Sequence, residues 1–202
     1  MRKERKARRV FAALAAFAFF VDAGAQAPAT VTAMFAGGCF WSMEHVFDEL
    51  PGVVSVTVGY AGGTAKKPSY EQVEMGITGH AESVQVVYEP AKIRYEELLR
   101  AYWHNTDPTS GAGQFCDMGS QYRPIIFVAD EIQKAAAERS KQALEQSGRF
   151  TRVLTQIQPA TAFWPAEDYH QHYYKTHAAA YQMYRAGCGR DARLRQLWGL
   201  SP

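Results

Sequence analysis

Apolar and polar residues alternate along parts of the chain with a period of two, which predicts β-strands. The alternation is clear over residues 53–60 and 84–88, where one face of each segment is apolar and the other is polar. Short apolar runs bounded by glycine, proline or polar residues predict further strands at 31–35, 125–128 and 152–158. The chain therefore contains the strands of a sheet, and the segments between the strands indicate the fold class.

Apolar residues three and four positions apart predict amphipathic helices between these strands. One such stripe runs over residues 42–50 and ends at a Pro-Gly pair, and apolar residues at 93–103 mark a second helix; the alanine-rich segment 131–146 predicts a third. The resulting order, βαββαβαβ followed by a helical C-terminal region, predicts an α+β two-layer sandwich with a ferredoxin-like βαββαβ core, extra helices and a C-terminal extension. Because no linker-like stretch divides it, we expect residues 28–202 to form one domain.

Two segments lack a clear period and are longer than a simple turn requires. The first lies between the predicted strands at 53–60 and 84–88 and contains Tyr70 and the Gly79-His80 turn. The second runs from residue 105 to residue 123 and contains Cys116 and Asp117. Long loops between regular elements frequently carry binding or catalytic residues, so both are candidates for function.

The first 27 residues differ from the rest of the chain. Six of the 22 basic residues occur within the first nine positions, and they precede an apolar run from Val10 to Val21 and a small-x-small sequence ending at Ala27. This order is typical of a secretory signal peptide, and the apolar run is shorter than the roughly 20 residues of a membrane-spanning helix. We expect cleavage after Ala27 and an exported, periplasmic protein; an uncleaved anchor is the alternative.

Charge and composition exclude several classes of protein. Without residues 1–27, the chain retains 16 basic and 18 acidic residues, a formal net charge of −2, which disfavours nucleic acid as a partner. The full chain is 47% hydrophobic and 21% charged, as globular proteins are, and it contains neither internal repeats nor low-complexity tracts. A folded enzyme or binding domain is therefore expected.

Cysteine is the residue type that offers the clearest chemistry. There are three cysteines, Cys39, Cys116 and Cys188, so at least one has no partner within the monomer. Cys39 follows two glycines at the end of a predicted strand and precedes a predicted helix, where backbone N–H groups and the helix dipole would favour a thiolate. A small buried apolar residue is the alternative interpretation, but Phe40 and Trp41 beside Cys39 could wall an apolar pocket.

The segment from residue 33 to residue 172 resembles the A-type peptide methionine sulfoxide reductases, whose signature Gly-Cys-Phe-Trp occurs here as residues 38–41. Further matches follow in the same order along the chain: Gly-Tyr-Ala-Gly-Gly at 59–63, Ser-Tyr at 69–70, Gly-His-Ala-Glu at 79–82, His-Asn-Thr-Asp-Pro at 104–108, Asp-Met-Gly-Ser-Gln-Tyr-Arg at 117–123 and Ala-Glu-Asp-Tyr-His-Gln at 166–171. Ordered matches over this length are highly specific.

The resemblance implies a function and a role for each matching residue. The enzyme would convert peptidyl and free methionine S-sulfoxide to methionine through a cysteine sulfenic acid, thereby repairing oxidised proteins. The implied site consists of Cys39 as the nucleophile, Phe40 and Trp41 around the substrate methyl group, Glu82, Tyr70 and Tyr122 at the sulfoxide oxygen, and Asp117 orienting the site. Physical chemistry supports Glu82 as the general acid, because a carboxyl group buried among aromatic rings keeps its proton near neutral pH.

A second thiol must resolve the sulfenic acid, and two cysteines are candidates. Cys188 is our first choice, since it lies between two glycines in the C-terminal region, where the family commonly has its resolving cysteines. The glycine-rich tail of the family is, however, replaced by residues 190–194, which resemble the start of a helix. Cys116 is the alternative, because its position next to Asp117 places it near the expected pocket. The family usually has asparagine at this position.

The resemblance implies no bound cofactor and no metal, and a thioredoxin-like dithiol as the external electron donor. His170, His172 and His177 form no metal-binding motif, and the tyrosines between them indicate aromatic packing. The expected partners are oxidised proteins or peptides that carry methionine sulfoxide, and a monomer is expected. Two other classes remain open: a thiol peroxidase or disulfide oxidoreductase, although no Cys-x-x-Cys pair is present, and a non-catalytic exported module that binds oxidised peptides.

Overall fold

The computed structural model describes residues 30–199, which form eight strands, seven α-helices and two short 3-10 turns. The strands are β1 (Val31–Ala36), β2 (Val53–Ala61), β3 (Ala81–Tyr88), β4 (Gly113–Gln114), β5 (Asp117–Met118), β6 (Ile125–Val128), β7 (Gln156–Pro159) and β8 (Trp164–Pro165). The helices are α1 (Phe40–Asp48), α2 (Tyr70–Glu74), α3 (Tyr95–His104), α4 (Glu131–Gln146), α5 (Tyr173–Thr176), α6 (Ala178–Gly187) and α7 (Arg190–Trp198). The 3-10 turns are Ser120–Tyr122 and Asp168–His170.

Six strands form one sheet in the order β7-β6-β1-β3-β2-β8, while β4 and β5 form a separate hairpin. The four inner strands β6-β1-β3-β2 pair antiparallel, with α1 connecting β1 to β2 and α3 lying between β3 and β6. This is the strand order of a βαββαβ unit, and β7 extends it by pairing parallel to β6. The predicted α+β class with a ferredoxin-like core is confirmed.

Strand β1 separates two apolar clusters, because successive side chains of a strand point to opposite faces of a sheet. Phe35 stacks on Phe47 of α1 with ring centroids 4.9 Å apart, and on Tyr102 of α3 at 5.4 Å. Both helices therefore cover the same face of the sheet. Met34 belongs to a smaller cluster on the other face, where Phe127 is also buried.

The boundaries of several elements differ from the sequence prediction. Helix α1 begins at Phe40 instead of residue 42, because the carbonyl group of Cys39 accepts the first helical hydrogen bonds. Strand β3 begins at Ala81, three residues earlier than predicted, since its first four residues are all buried and show no alternation. Strand β7 begins only at Gln156, because the N–H of Leu154 donates to the carbonyl oxygen of Pro108 outside the sheet.

Both segments that lacked a period contain short regular elements. Helix α2 lies in the first, and the β4–β5 hairpin lies in the second. Elements of five or fewer residues are too short to produce a readable period, which explains why the sequence did not predict them.

Between residues 30 and 199, none of the helices combines the length and the apolar composition that crossing a bilayer requires. The predicted signal peptide, residues 1–27, and its cleavage site lie outside the described residues.

Candidate active site

Cys39 lies at the junction of β1 and α1, where it is the N-cap residue of the helix. Gly38 precedes it with a φ of 83°, and a side chain there would meet Gln114, whose Cβ would be only 2.6 Å from an added Cβ. A glycine is therefore required at this turn for both reasons. The turn leaves Cys39 only 5% exposed, at the floor of a pocket.

A cavity of about 180 Å³ opens above Cys39. It is lined by Cys39, Phe40, Trp41, Tyr70, Glu82, Asp117, Tyr122 and Tyr184. The structure thus brings together the nucleophile and all six of the other residues that the sequence placed around the substrate. Tyr184 is the one lining residue that the sequence analysis missed, because it lies in an unmatched part of the C-terminal region.

Glu82 reaches the pocket from the start of β3, where it pairs in register with Tyr60 of β2. Its side chain is 3% exposed, and its Oε2 accepts a hydrogen bond of 2.9 Å from the backbone N–H of Phe40. Burial raises the pKa of this carboxyl group to about 8, and the hydrogen bond only partly opposes the effect. Glu82 is therefore protonated at neutral pH and can donate a proton or a hydrogen bond.

The environment of Cys39 differs from the sequence expectation. Burial raises the pKa of its thiol to about 12, and the nearby Glu82 acts in the same direction, while the adjacent hydroxyl group of Tyr184 opposes both. The expectation that the helix start would favour a thiolate is wrong for this pocket. Desolvation outweighs the helix dipole here because the sulfur is almost completely removed from water.

Residues outside the pocket fix the positions of Phe40 and Trp41, which form its aromatic wall. Trp41 donates a hydrogen bond of 3.2 Å from Nε1 to Nδ1 of His170, and its ring stacks on Tyr173 with centroids 3.9 Å apart. The imidazole of His170 also lies against Phe40, at 5.1 Å between ring centroids. The motif at 166–171 therefore fixes the two aromatic residues beside the nucleophile.

Tyr70 is positioned by a carboxylate that lies far away in the sequence. Glu167 accepts a hydrogen bond of 2.9 Å from the backbone N–H of Tyr70 and another of 2.8 Å from the hydroxyl group of Tyr60. Burial raises the pKa of both Tyr70 and Tyr122, so their hydroxyl groups keep their protons and can serve as hydrogen-bond donors in the pocket.

Asp117 and Tyr184 connect the pocket to the remaining two cysteines. The hydroxyl group of Tyr184 donates to Oδ2 of Asp117, and burial raises the pKa of this aspartate while that hydrogen bond opposes the shift. Asp117 directly follows Cys116, and Tyr184 lies one helical turn before Cys188. Both cysteines are thus adjacent to groups that line the pocket.

Cys116 and Cys188 form a disulfide, with their Cα atoms 5.0 Å apart, and Cys39 is free. From the sequence, these two residues were alternative resolving cysteines, whereas the structure pairs them with each other. Cys188 lies at the C-terminus of α6, and α7 begins two residues later, as the sequence of residues 190–194 indicated. Cys116 is exposed to solvent, so the disulfide is accessible to another protein.

The three histidines considered as metal ligands have separate surroundings. His170 binds Trp41, whereas the backbone N–H of His172 donates to Glu44 at 2.9 Å and its ring pairs with the same carboxylate. His177 stacks on Tyr173 with ring centroids 4.5 Å apart. Each histidine therefore has a structural contact of its own.

Comparison with known proteins identifies the class. The sequence model of the family described as peptide methionine sulfoxide reductase matches residues 31–201. The peptide methionine sulfoxide reductase MsrA of Limosilactobacillus reuteri is 48% identical over 169 residues, which cover 83% of this chain and 96% of that protein. MsrA 2 of Caulobacter vibrioides is 49% identical over 173 residues, covering 86% and 88%.

Solved structures agree with the sequence relatives. Methionine sulfoxide reductase A of Corynebacterium diphtheriae superposes with a TM-score of 0.67 at 34% identity, covering 75% of this chain and 77% of that one. The reduced form of Mxr1 from Saccharomyces cerevisiae gives a TM-score of 0.70 at 31% identity, covering 74% and 86%.

The fold and the cysteine pocket thus define a thiol-dependent oxidoreductase. More particularly, the chain belongs to the peptide methionine sulfoxide reductase family and is a thiol-dependent methionine sulfoxide reductase. The relatives named above are all reductases, which disfavours both the thiol peroxidase and the non-catalytic binding module.

Proposed function

We propose that this enzyme reduces the S epimer of methionine sulfoxide, in peptides and as the free amino acid, and then transfers the oxidation to the Cys116–Cys188 pair. The observation that carries the proposal is the pocket in which protonated Glu82 and the thiol of Cys39 lie among Phe40 and Trp41. Such a pocket fits a methyl thioether with one polar oxygen.

The first step is oxygen transfer from substrate to enzyme. The sulfur of Cys39 attacks the sulfoxide sulfur while Glu82 supplies a proton to the sulfoxide oxygen, which Tyr70 and Tyr122 also contact. The bond formed between the two sulfurs and the S–O bond of the substrate then break as the oxygen passes to Cys39. The thioether of methionine leaves, Cys39 becomes a sulfenic acid, and the proton lost by the Cys39 thiol restores that of Glu82. The substrate is reduced by two electrons, and Cys39 is oxidised by two.

The second step returns Cys39 to its thiol form in two exchanges. The thiol of Cys188 condenses with the sulfenic acid, which releases water and forms a Cys39–Cys188 disulfide. The thiolate of Cys116 then attacks Sγ of Cys188, so that the Cys116–Cys188 disulfide forms and Cys39 leaves. The pairing of Cys116 with Cys188 beside a free Cys39 supports this order, in which both candidate resolving cysteines act.

The electron donor is proposed to be a thioredoxin-like dithiol protein. The exposed position of Cys116 supports this, because a protein dithiol must reach the disulfide directly. A structure of Mxr1 from Saccharomyces cerevisiae, whose reduced form is 31% identical to this chain, contains Trx2. No bound cofactor is needed for any of these steps.

Location in the periplasm follows from the N-terminal sequence alone, and we propose it on that basis. The basic, apolar and small-residue segments of residues 1–27 support export with cleavage after Ala27. Sequencing the N-terminus of the protein recovered from a periplasmic fraction should detect Pro28 as the first residue. Met1 on a membrane-bound protein would contradict cleavage. The donor would then be a dithiol protein of that compartment.

Variants of the three cysteines test the reaction scheme. Chiral chromatography of a blocked methionine sulfoxide peptide, incubated with the mature protein and dithiothreitol, should show loss of the S epimer only, and no loss with Cys39→Ser. Cys188→Ser should complete one turnover and accumulate a sulfenic acid that dimedone traps. Cys116→Ser should complete one turnover and stop at a Cys39–Cys188 disulfide, which peptide mapping identifies.

Each outcome has an alternative that would contradict it. Loss of both epimers, or of neither, would contradict the proposed substrate. Normal recycling by a protein dithiol in Cys188→Ser, with a Cys39–Cys116 disulfide in the oxidised protein, would make Cys116 the direct resolving residue.

A further inference from the structure

Arg190 is a buried cation that pairs with no carboxylate among residues 30–199. Only 2% of the residue is exposed, and its NH2 group donates to the carbonyl oxygens of Asn105 at 2.7 Å and Gly37 at 3.3 Å. The Nε and NH1 atoms are buried and find no hydrogen-bond acceptor within the described part of the chain. Buried charges in proteins are normally paired with an opposite charge, so this guanidinium calls for an explanation.

The guanidinium of Arg190 lies between the segments that carry Cys39 and Cys116. Gly37 and Gly38 form the turn before Cys39, and a Cβ at Gly38 would be 3.6 Å from NH1 of Arg190. On its other side, the guanidinium carbon lies 4.3 Å from the ring centre of Phe115, the residue before Cys116. Arg190 itself follows Cys188 by two positions, so a side chain from the helix after Cys188 contacts residues within two positions of Cys39 and of Cys116.

The charged and titratable groups around Arg190 leave few candidates for its counter-ion. Arg185 lies nearby on α6, but Asp191 pairs with it at 2.6 Å. The charge of Arg190 interacts with two acidic groups. These are the thiol of Cys39, which opposes the lowering of the pKa of Arg190 by burial, and the carboxyl group of Asp117, where Arg190 opposes the raising of the pKa by burial.

The other groups near the guanidinium are already engaged. The remaining titratable groups are the hydroxyls of Tyr181 and Tyr184, of which Tyr184 donates to Asp117. Within α7, Arg193 is engaged by Asp107 at 2.8 Å. The charge of Arg190 favours the anion of Asp117, which also accepts the hydrogen bond of Tyr184, and Cys39 is the second acidic group whose anion the guanidinium can stabilise.

We propose that Arg190 is a positioning residue whose buried positive charge stabilises Cys39 as a thiolate. The proposal rests on the proposed function and goes beyond it, because it assigns to the C-terminal helix a residue that controls the reactivity of the nucleophile. Its guanidinium remains protonated when buried, and its NH2 group donates to two carbonyl oxygens while its face lies over the ring of Phe115.

Cys39 carries negative charge at two points of the cycle. At the first, its thiol loses a proton so that the sulfur can attack the sulfoxide. At the second, attack of the Cys116 thiolate on Sγ of Cys188 breaks the Cys39–Cys188 bond, and the electron pair of that bond remains on Cys39, which then takes a proton from water. A thiol leaves faster when its thiolate is more stable, and burial alone destabilises the thiolate of Cys39. A fixed cation at the preceding turn acts against that cost.

The reactivity of Cys39 towards iodoacetamide measures this stabilisation directly. The parent protein is the Cys116→Ser, Cys188→Ser variant, in which Cys39 is the only thiol and no disulfide can form. We expect Arg190→Gln, which keeps an N–H donor but removes the charge, to lower the alkylation rate at pH 8 by about tenfold, with the pH profile displaced upwards by about one unit. Arg190→Lys, which keeps a charge, should retain most of the parent rate.

Two further variants separate charge from packing. Phe115→Leu removes the stacked ring but leaves Arg190 charged, so its pH profile should match that of the parent. If Arg190→Gln, Arg190→Lys and Phe115→Leu all displaced the profile equally, Arg190 would be a packing residue and the proposal would be wrong. An unchanged profile in Arg190→Gln would also overturn it.

Folding is checked by circular dichroism at the temperature of the assay. If Arg190→Gln is not folded, Arg190→Met replaces it as the neutral variant. If neither neutral variant folds, Arg190→Lys alone tests the proposal. A tenfold loss of alkylation rate in this charged variant would then overturn it. The assay uses no sulfoxide, so its result is independent of the proposed function, which the wild-type protein and the S-sulfoxide peptide test separately.

Discussion

Burial and a single hydrogen bond act in opposite directions on Glu82. The hydrogen bond from Phe40 favours the charged carboxylate, whereas removal from water favours the neutral acid. Burial is the larger effect and raises the pKa of the carboxyl group to about 8, so the neutral acid is the major form at pH 7. A neutral carboxyl group can donate a hydrogen bond to a sulfoxide oxygen, and a carboxylate would repel it.

This balance predicts how substrate affinity depends on pH. In Cys39→Ser, which binds without reacting, we expect the affinity for a methionine sulfoxide peptide to fall about tenfold as the pH rises through about 8, because Glu82 loses its proton. The sign follows from the raised pKa, since the donor form exists below it. Tryptophan fluorescence, to which Trp41 in the pocket contributes, can report binding.

Glu82→Gln provides the matched comparison. Its amide group donates a hydrogen bond at every pH but cannot deliver a proton, so binding should not change near pH 8, while a single turnover with Cys39 intact should be slower by about 10²- to 10⁴-fold. A wild-type rate in Glu82→Gln would mean that another group is the acid. Persistence of the pH-dependent affinity in the Cys39→Ser, Glu82→Gln double variant would mean that another group titrates.

The sequence predicted the pocket residues that lie in motifs, but it did not predict Tyr184 or Arg190. Tyr184 follows no recognisable motif, and its role depends on α6 bringing it to Asp117 across 67 positions of the chain. Arginine is usually exposed, so nothing in the local pattern indicated that Arg190 is buried. The thiolate expected at Cys39 is opposed by burial for a related reason, because the local sequence indicates the helix start and not the degree of burial.

At the scale of elements, α2 depends on contacts that are distant in sequence. A helix of five residues is not stable alone. Ser69 and Gln72 form a capping box at its start, and Glu167 binds the N–H of Tyr70 from a segment 97 positions away. The periodicity of the sequence cannot contain this information, which explains why α2 and the β4–β5 hairpin were not predicted while the longer helices and the inner strands were.

Glu167→Ala tests whether this distant contact positions Tyr70. It leaves the N–H of Tyr70 and the hydroxyl group of Tyr60 without their acceptor, so we expect kcat/KM for the sulfoxide peptide to fall about tenfold and the free energy of unfolding to fall by about 1–3 kcal/mol. Steady-state kinetics and urea denaturation measure the two effects.

Ser69→Ala is the control for loss of helix stability alone. Removing the cap should cost about 1 kcal/mol of stability and leave kcat/KM nearly unchanged, since Glu167 still holds Tyr70. An equal loss of kcat/KM in both variants would show that general stability of α2, and not the carboxylate of Glu167, determines the position of Tyr70.

Across the whole molecule, the disulfide joins the β4–β5 hairpin to the C-terminal helices over a separation of 72 residues. Helix α7 is also anchored independently, because Arg193 pairs with Asp107 at 2.8 Å and Trp198 donates to the carbonyl oxygen of Thr106 at 3.1 Å. Reduction of the disulfide should therefore leave α7 in place while the unfolded chain gains conformational freedom.

We expect the oxidised protein to be more stable than the reduced protein by about 2–4 kcal/mol, the usual contribution of a disulfide that closes a long loop. Urea denaturation with and without dithiothreitol measures the difference. The Cys116→Ser, Cys188→Ser variant should not respond to dithiothreitol, and equal stability of the two wild-type forms would contradict the expectation.

The separation of the buried Cys39 from the exposed Cys116 also has an evolutionary consequence. The surface around the disulfide can accumulate substitutions that suit a different reductant, while the residues that select the sulfoxide remain unaltered beneath it. A gene duplicate of such an enzyme could thus acquire a new electron supply in another compartment without having to evolve its substrate selectivity again.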